Sequence, residues 1–535
     1  MQTQHVYQTS VKNFWADKGI FLLVMLLFVV YKLQHLSLAY YWDESWPYVP
    51  AIMHMHHHGI SLLPSAIPPD LSKGHPLFFH ALASSWSAIF GTSHIAMHSF
   101  ALCISVVLSM VLYEVCNRLY GKRVAIMAII VLFTQVPIIV QSSFVLPEIL
   151  LSLLVVATLY SYVRRRYMWT AALLAALVLT KESGLVLGLI IGADTTFAII
   201  TGKARGKEAV WQTLSLLLPL VCIVGFFLYQ HRVNGWYFYP EHIDMMERSW
   251  KLFWYKFRMG GMTAAFHDNL KWYCWLIPLA LAIVAAIKNR RLQYMAIFLP
   301  AFDMYYFVDD LRAGRLIPSI PFFIVFIASV AVFLFILSRL LKDRGIAAQR
   351  FVVLGGCFIV AYLIFSGLNF FTYRYIIVVI VLSAILLSVV TDVMVQAIDM
   401  RLYYAALVLL LAINICAFLQ PASQGDTQLG AFDAVRQQMK VVDFLEKANA
   451  YQEPVATHSF LISKYLTDPA TGFLHSGRSF EHVSYNIDQA TRYIEFDNIE
   501  SPDDRRAAVA KDPHYRLVFH SASNNIWAEV YEKVP

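Results

Sequence analysis

Two adjacent carboxylates, Asp43 and Glu44, stand directly after the first apolar stretch of the chain. A charge at the edge of a membrane is costly, so it is kept only where a function or a buried partner needs it. A partly desolvated carboxylate beside a second carboxylate can accept a proton from a hydroxyl group. The pair therefore indicates a general base, and the structural alternative is a helix cap within a belt of interfacial aromatic residues.

Three further polar motifs interrupt apolar stretches. His75 stands where polar residues run into an apolar segment, so it could bind a phosphate, ligate a metal or only mark the boundary. Glu148 opens another apolar run, where it could act in the site or be retained by the helix dipole alone. Lys181 and Glu182 separate two half-length apolar runs. A lysine in such a broken helix suits an anion or phosphate, and a plain outer turn is the alternative.

Residues near the end of the hydrophobic region complete the candidate set. Arg374 and Tyr375 open one of the last apolar runs, and Arg315 stands in a neighbouring polar turn. Either arginine could serve as a simple interfacial anchor. Taken together, the acids and cations predict a membrane-embedded cavity that suits a negatively charged lipid head group and a hydroxyl to be deprotonated.

The histidine-rich segment 54–58 is a weaker candidate. On a helix, His54, His57 and His58 share one face at a spacing that can hold a transition metal, and an interfacial, proton-sensitive face is the alternative. A divalent metal cofactor is therefore left open, with no ligand set assigned. The six cysteines are scattered without a CxxC pair, so neither a zinc knuckle nor a disulfide framework is indicated.

The composition places these residues in a membrane protein. Of the 535 residues, 59% are hydrophobic and only 14% are charged. Soluble domains carry roughly 25% charged residues, so an ordinary soluble protein is excluded. The net charge of +7 comes from short basic clusters between apolar runs, which the positive-inside rule explains. No nucleic-acid partner is indicated.

Apolar runs divide residues 1–420 into about 13 transmembrane helices. They are predicted at 19–38, 96–116, 123–141, 148–163, 168–180, 184–200, 211–230, 273–287, 292–308, 317–338, 351–370, 375–397 and 402–420. Alternate loops carry the basic clusters and should face the cytoplasm. The N-terminus then lies inside, whereas the active-site loop 41–95 lies outside, and we expect the chemistry on the non-cytoplasmic face.

Residues 421–535 have a different character, typical of a small α/β domain. The sequence predicts a helix at 431–448, strands at 454–460 and 492–496, and a hairpin formed by 515–520 and 526–531. The whole chain is therefore predicted to be a polytopic α-helical membrane protein with a small C-terminal extracytoplasmic α/β domain.

In these motifs the chain resembles the GT-C superfamily of polyprenyl-phosphate-sugar glycosyltransferases, in the branch of protein O-mannosyltransferases and lipid A aminoarabinose transferases. The motifs stand in the same order over about residues 1–400. They are Asp43-Glu44, Gly74-His75-Pro76-Leu77, Pro147-Glu148, the run 179–184 and Arg374-Tyr375. One departure is that aminoarabinose transferases carry a Glu-Lys pair where this chain has Gly74-His75.

The resemblance implies a reaction. A sugar on a polyprenyl phosphate or diphosphate would be the donor, and a hydroxyl of a lipid, glycan or protein acceptor would attack its anomeric carbon with inversion. Asp43 would be the base, and Glu44 and Glu148 would orient the acceptor or the base. Lys181 and Arg374 would hold the leaving phosphate. The expected substrate-binding set is completed by His75, Glu182, Tyr375 and Arg315.

The predicted function is thus an integral-membrane glycosyltransferase of the cell envelope. It would sit in a bacterial inner membrane among membrane lipids, with its active site and C-terminal domain outside the cytoplasm. An alternative from another class is a secondary transporter with an intramembrane path of acids and cations. The acidic pair in the first outer loop, the soluble tail and the lack of a repeat between the two halves disfavour a transporter. A non-catalytic scaffold would require every carboxylate to be structural.

Overall fold

The computed structural model describes residues 2–257, 261, 320–369, 372–398, 403–405, 408, 412, 425–500 and 503–534. The predicted apolar runs at 273–287 and 292–308 and the candidate Arg315 lie outside the described residues, as does most of the run at 402–420. Every structural statement below concerns the described part of the chain.

The first half of the chain is helical. Its helices are α1 (Gln2–Leu33), α2 (Tyr48–His58), α3 (Pro69–Ser72), α4 (Phe78–Phe90), α5 (His94–Tyr120), α6 (Lys122–Phe133), α7 (Val136–Gln141), α8 (Glu148–Val163), α9 (Tyr167–Thr180), α10 (Leu185–Ile200), α11 (Lys207–Asn234), α12 (Pro240–Asp244) and α13 (Trp250–Tyr255). Helices α2, α3 and α4 form the predicted active-site loop. The hydroxyl of Ser84 on α4 donates to the carbonyl of Ile52 on α2, so the two helices are joined.

In the second half, the described residues form three long apolar helices before the C-terminal domain and three shorter helices within it. They are α14 (Ile320–Leu340), α15 (Ile346–Leu368), α16 (Ile377–Ile398), α17 (Gly430–Lys447), α18 (Phe460–Thr467) and α19 (Arg505–Val509). Helix α16 packs against α6 and α8 and is the most enclosed of the candidate spans, with 89% of its most apolar window buried. It therefore forms the centre of the membrane domain.

Ten of the thirteen predicted apolar runs coincide with helices of the described residues. Five described helical segments are long and apolar enough to cross a membrane, and four shorter apolar helices accompany them. The chain is therefore a multi-pass helical membrane protein. The predicted single span at 123–141 is instead two helices, α6 and α7, because Pro137 lacks the N–H needed to continue the helix and stands in the first turn of α7.

Ion pairs fix the ends of the helices opposite the candidate site. Asp392 of α16 is bound by Arg123, with the nitrogen and oxygen 3.0 Å apart, and by Arg344 at 3.1 Å. Asp194 of α10 is paired with Arg350 of α15. These arginines belong to the basic clusters that the sequence assigns to the cytoplasmic face, so they also tie neighbouring helices together.

The C-terminal domain contains a five-stranded sheet. Its strands are β1 (Val455–Thr457), β2 (Val483–Ser484), β3 (Tyr493–Asp497), β4 (Tyr515–Ser523) and β5 (Ile526–Lys533), in the order β2-β1-β3-β5-β4. Strand β1 runs parallel to β2 and β3, whereas β5 pairs antiparallel with β3 and β4. Helix α17 packs on β4 and β5.

The predicted elements of this domain are found with small changes. The predicted helix 431–448 is α17, and the predicted hairpin is formed by β4 and β5, whose tight turn places Asn524 at φ +53°. Asparagine tolerates that conformation better than most residues. The predicted strand 454–460 ends earlier, at Thr457, because the Ser459 hydroxyl caps α18 by accepting a hydrogen bond from the Ile462 N–H at 3.1 Å.

Candidate active site

The adjacent acids Asp43 and Glu44 occupy one short 3-10 turn, Trp42–Glu44, but have different surroundings. Glu44 is fully buried. Its Oε1 accepts a hydrogen bond from the Val145 N–H at 2.6 Å and lies 3.2 Å from His98 Nε2, and its Oε2 accepts from the Tyr41 N–H at 3.2 Å. Asp43 keeps a 31% exposed side chain and is paired with Arg374. Glu44 thus holds the turn in place through backbone hydrogen bonds, whereas Asp43 is the accessible acid.

Arg374 joins three carboxylates from distant parts of the chain. It stands in the 3-10 turn before α16, and its side chain is only 5% exposed. Its Nη2 donates to Asp43, its Nη1 donates to Asp426 at 2.9 Å, and its Nε lies 3.3 Å from Glu148 Oε1. A buried guanidinium requires such partners, since an unpaired charge in this setting is strongly unfavourable. The packing of α16 on α8 brings Arg374 to Glu148.

Lys181 provides a second buried cation. Helix α9 ends at Thr180, and the extended backbone of Lys181 separates it from the turn that begins α10. The Lys181 ammonium donates to Glu148 Oε1 at 2.9 Å and lies 3.8 Å from the centre of the Tyr375 ring. Glu148 therefore bridges Lys181 and Arg374, and the two cations share one acid.

A small cavity of about 80 Å³ opens beside Lys181. It is lined by His75, Lys181, Glu182, Ser183, His242, Tyr362, Phe365, Ser366, Asn369 and Tyr375. His75 Nδ1 lies 2.9 Å from Glu182 Oε2, and the rings of His75 and His242 are 5.0 Å apart. Burial, followed by the nearby His75, lowers the pKa of His242 to about 4. The cation Lys181, an acid and several polar groups therefore meet in one cavity, whose chemistry suits an anionic head group.

Comparison with known proteins shows which fold the chain shares. Residues 74–229 match the family model described as dolichyl-phosphate-mannose-protein mannosyltransferase. The crystal structure of ArnT from Cupriavidus metallidurans in the apo state aligns over 96% of this chain and 98% of that chain, with 14% sequence identity and a TM-score of 0.50. The predicted resemblance to the GT-C superfamily is confirmed.

Two further solved structures are similar to this chain. ArnT from Cupriavidus metallidurans bound to undecaprenyl phosphate aligns with the same identity, coverage and TM-score as the apo form. The apo oligosaccharyltransferase of Archaeoglobus fulgidus covers 90% of this chain and 70% of its own, at 12% identity and a TM-score of 0.44. No curated protein matches the chain by sequence.

Most of the predicted site residues are brought together within this GT-C fold. Asp43, Glu148, Lys181 and Arg374 form one continuous set of ion pairs, although more than 300 positions separate the first from the last. The predicted residues His75, Glu182 and Tyr375 line the adjacent cavity with Lys181. Glu44 shares the turn of Asp43 but binds the Val145 N–H and not Arg374, and Arg315 is outside the described residues.

Several residues of the site were missed by the motifs. Asp426, the first acid of the C-terminal region, binds Arg374, and burial raises the pKa of its carboxyl group although Arg374 opposes that rise. A usable signal was its position just after the last apolar run, on the predicted outer face. His242 and Tyr362 line the cavity without a local motif, so only the fold reveals them.

Among the residues that the structure describes, the histidines of helix α2 do not form a metal-binding group. The rings of His54 and His58 stack with centres 4.1 Å apart, and His58 Nδ1 is bonded to the carbonyl of His54 at 2.9 Å. His56 is bonded to the Ser87 hydroxyl of α4. Within the described residues, no three His, Cys, Asp or Glu side chains form a group that could hold a metal ion.

Proposed function

We propose that this chain is an inverting glycosyltransferase that moves a sugar from a polyprenyl-phosphate donor to a hydroxyl group of a lipid, glycan or protein acceptor. The observation that carries the proposal is the network in which the accessible acid Asp43 and the buried cation Lys181 are linked through Arg374 and Glu148, beside a polar cavity. The ArnT-like fold and the mannosyltransferase family match support it.

Asp43 supplies the base in this proposal. Its carboxylate is the most accessible of the acids bound to Arg374, since Glu148 is 2% exposed and Asp426 13%. It takes the proton of the acceptor hydroxyl as the oxygen attacks the anomeric carbon. The bond between that carbon and the phosphate oxygen breaks, and its electron pair leaves with the phosphate. The sugar configuration is inverted because attack and departure occur on opposite faces.

The cations stabilise the charge that the leaving phosphate gains. Lys181 lines the cavity and can turn its remaining N–H groups toward an anion. Arg374 has five N–H donors, and the three acids do not occupy all of them. It adds positive charge close to Lys181, because both cations contact Glu148. His75 stands at the cavity where aminoarabinose transferases carry a lysine, and Glu182 holds its ring. A phosphate leaves without being protonated, so no general acid is needed.

The glutamates around the base serve to orient it. Glu148 holds both cations, and Glu44 attaches the turn of Asp43 to the backbone of Val145. Preorganised groups of this kind lower a barrier because they need not move during the reaction. The basic clusters between the spans support a location of this side of the protein at the non-cytoplasmic face of the membrane.

The test is transfer of label by the purified chain in proteoliposomes. Radiolabelled sugars on polyprenyl phosphate are supplied in parallel with the same sugars on nucleotides, together with envelope lipid, glycan and peptide acceptors. We expect label to move only from a polyprenyl-phosphate donor, with release of free polyprenyl phosphate in equal amount. Label moving from the nucleotide sugars alone, or sugar crossing the vesicle membrane without transfer, would contradict the proposal and favour another transferase or the transporter.

A further inference from the structure

The segment that opens the C-terminal domain is anchored to the membrane domain through two of its residues, Asp426 and Phe432. The Gln141 side-chain amide at the end of α7 donates to the backbone carbonyl of Asp426 at 2.7 Å. The Phe432 ring packs on His35, with ring centres 3.9 Å apart, and on Phe144 at 5.8 Å. Asp426 is therefore held in place by its backbone, and its carboxylate is delivered to Arg374 as a fixed group.

Each side of the Arg374 guanidinium has a different acid. Nη1 bonds Asp426, Nη2 bonds Asp43, and Nε faces Glu148, which Lys181 also holds. Arginine has a long side chain with several rotatable bonds, so one acid alone does not fix the plane of its guanidinium. The two acids at Nη1 and Nη2 together define that plane, and the position of Nη2 relative to Asp43 depends on the bond at Nη1.

We infer that Asp426 is a positioning residue for the reaction, acting through Arg374, and that the C-terminal domain thereby completes the active site. The inference rests on the proposed function, since it assumes that Asp43 is the base. Without the Asp426 carboxylate, Nη1 loses its buried partner, and the guanidinium can rotate toward Glu148, the more deeply buried of its two remaining acids. Asp43 then loses its fixed contact and is free to leave the reactive orientation. Positioning errors of about 1 Å can cost a hundredfold in rate.

The competing explanation is that Asp426 only clamps the C-terminal domain onto the membrane domain. The two roles differ in what a substitution changes. A clamp affects the amount of folded protein, whereas a positioning residue changes the turnover of the folded protein and responds to carboxylate geometry. Asp433 is a suitable control because it is an acid of the same domain that bonds Arg436, Ser523 and Asn524, away from Arg374.

The experiment compares Asp426→Asn, Asp426→Glu and Asp433→Asn with the native chain, each as full-length protein in proteoliposomes at equal folded amount. We expect Asp426→Asn to lower kcat roughly 10- to 100-fold with a donor KM close to native. Asp426→Glu keeps a carboxylate and should recover part of that loss, and Asp433→Asn should keep native kcat. A native kcat in Asp426→Asn, or an equal loss in Asp433→Asn, would overturn the inference.

A second readout needs no donor. Hydrogen exchange is measured by mass spectrometry on peptides that contain residues 41–46 and 372–376, in the native chain and in Asp426→Asn. We expect faster exchange in both peptides of the variant and native exchange in peptides from α5. Unchanged exchange in both peptides overturns the inference. Because this readout does not require turnover of a sugar donor, a failure of the proposed function and a failure of the positioning role give different results.

Discussion

Lys181 Nζ and Glu148 Oε1 lie 2.9 Å apart in a site where neither side chain is more than 5% exposed. The two residues belong to different helical breaks, and the packing of α8 on α9 brings them together. Because Glu148 also faces Arg374, this pair links the base side of the site to the cavity. Removing either partner leaves a buried charge with fewer counter-ions.

Replacement of Lys181 by methionine should therefore affect both stability and donor binding. Loss of one partner of a buried ion pair costs about 3–5 kcal/mol, so the unfolding temperature in detergent should fall. The donor KM should rise at least about tenfold, which corresponds to about 1.4 kcal/mol of lost phosphate binding. Lys181→Arg should recover most of the stability. Lys251→Met, which removes an exposed lysine of α13, is the control, and an equal effect there would refute the specific role of Lys181.

The neighbours Asp43 and Glu44 should respond differently to substitution. Glu44 satisfies two backbone N–H groups, at Val145 and Tyr41, so Glu44→Ala leaves buried donors unpaired and should cost about 1–3 kcal/mol of stability. Asp43→Asn keeps the shape of an accessible side chain and should leave the unfolding temperature within a few degrees. Thermal unfolding of the two variants in one detergent checks this. A larger stability loss in Asp43→Asn would contradict the assignment of Glu44 as the fastening acid.

The buried acid Glu495 should make the stability of the C-terminal domain depend on pH. Burial, followed by the nearby Asp497, raises the pKa of Glu495 well above its usual value. A raised pKa means that the folded domain binds a proton that the unfolded chain releases, so stability increases as pH falls from neutral toward the unfolded value of about 4.5. Glu495→Gln has no charge to bury and keeps an acceptor for the Thr457 hydroxyl. It should unfold at a higher temperature than the native chain at pH 8, and the difference should shrink at pH 5.

An unchanged difference between the two pH values would show that Glu495 does not carry this dependence. The comparison is made by thermal unfolding of the full-length chain at constant ionic strength. Glu453→Gln supplies a control, since Glu453 is an exposed acid of the same domain and should show no such pH effect.

The orientation of the chain can be tested with single cysteines and a membrane-impermeant thiol reagent. In a background without the six native cysteines, Gly425→Cys should react in intact cells, and Lys203→Cys should react only after permeabilisation. Lys203 is exposed, and it is preferred to its neighbour Gly206, whose φ of +54° favours glycine. The reverse pattern of labelling would place the site on the cytoplasmic face.

The sequence predicts much of the membrane fold, because apolar runs and charge patterns depend on local composition. The polar break at Lys181 was recognised in this way, as were the ends of α8, α9 and α17 to within a residue or two. The interruption before Pro137 was missed because the stretches on both sides are apolar, although Thr134 and Gln135 mark the break between the two helices. Local spacing alone could not separate the roles of Asp43 and Glu44, since these depend on Arg374 and Val145.

Contacts between distant segments could not be predicted from the sequence. Asp426 reaches Arg374 across 52 positions, and nothing in either local motif indicates that pairing. His242 likewise enters the cavity from α12, next to His75. The candidate residues were therefore found as a set, whereas the ion pairs that connect them required the packing of the helices.

The most direct test of the central claim is the rate of sugar transfer from a polyprenyl-phosphate donor by Asp43→Asn. The native chain and Asp70→Asn, which changes an exposed acid of α3, are measured beside it at equal folded amount. We expect Asp43→Asn to bind donor normally and to lose transfer by roughly 100-fold or more, while Asp70→Asn stays active. Full transfer by Asp43→Asn would contradict the assignment of Asp43 as the base.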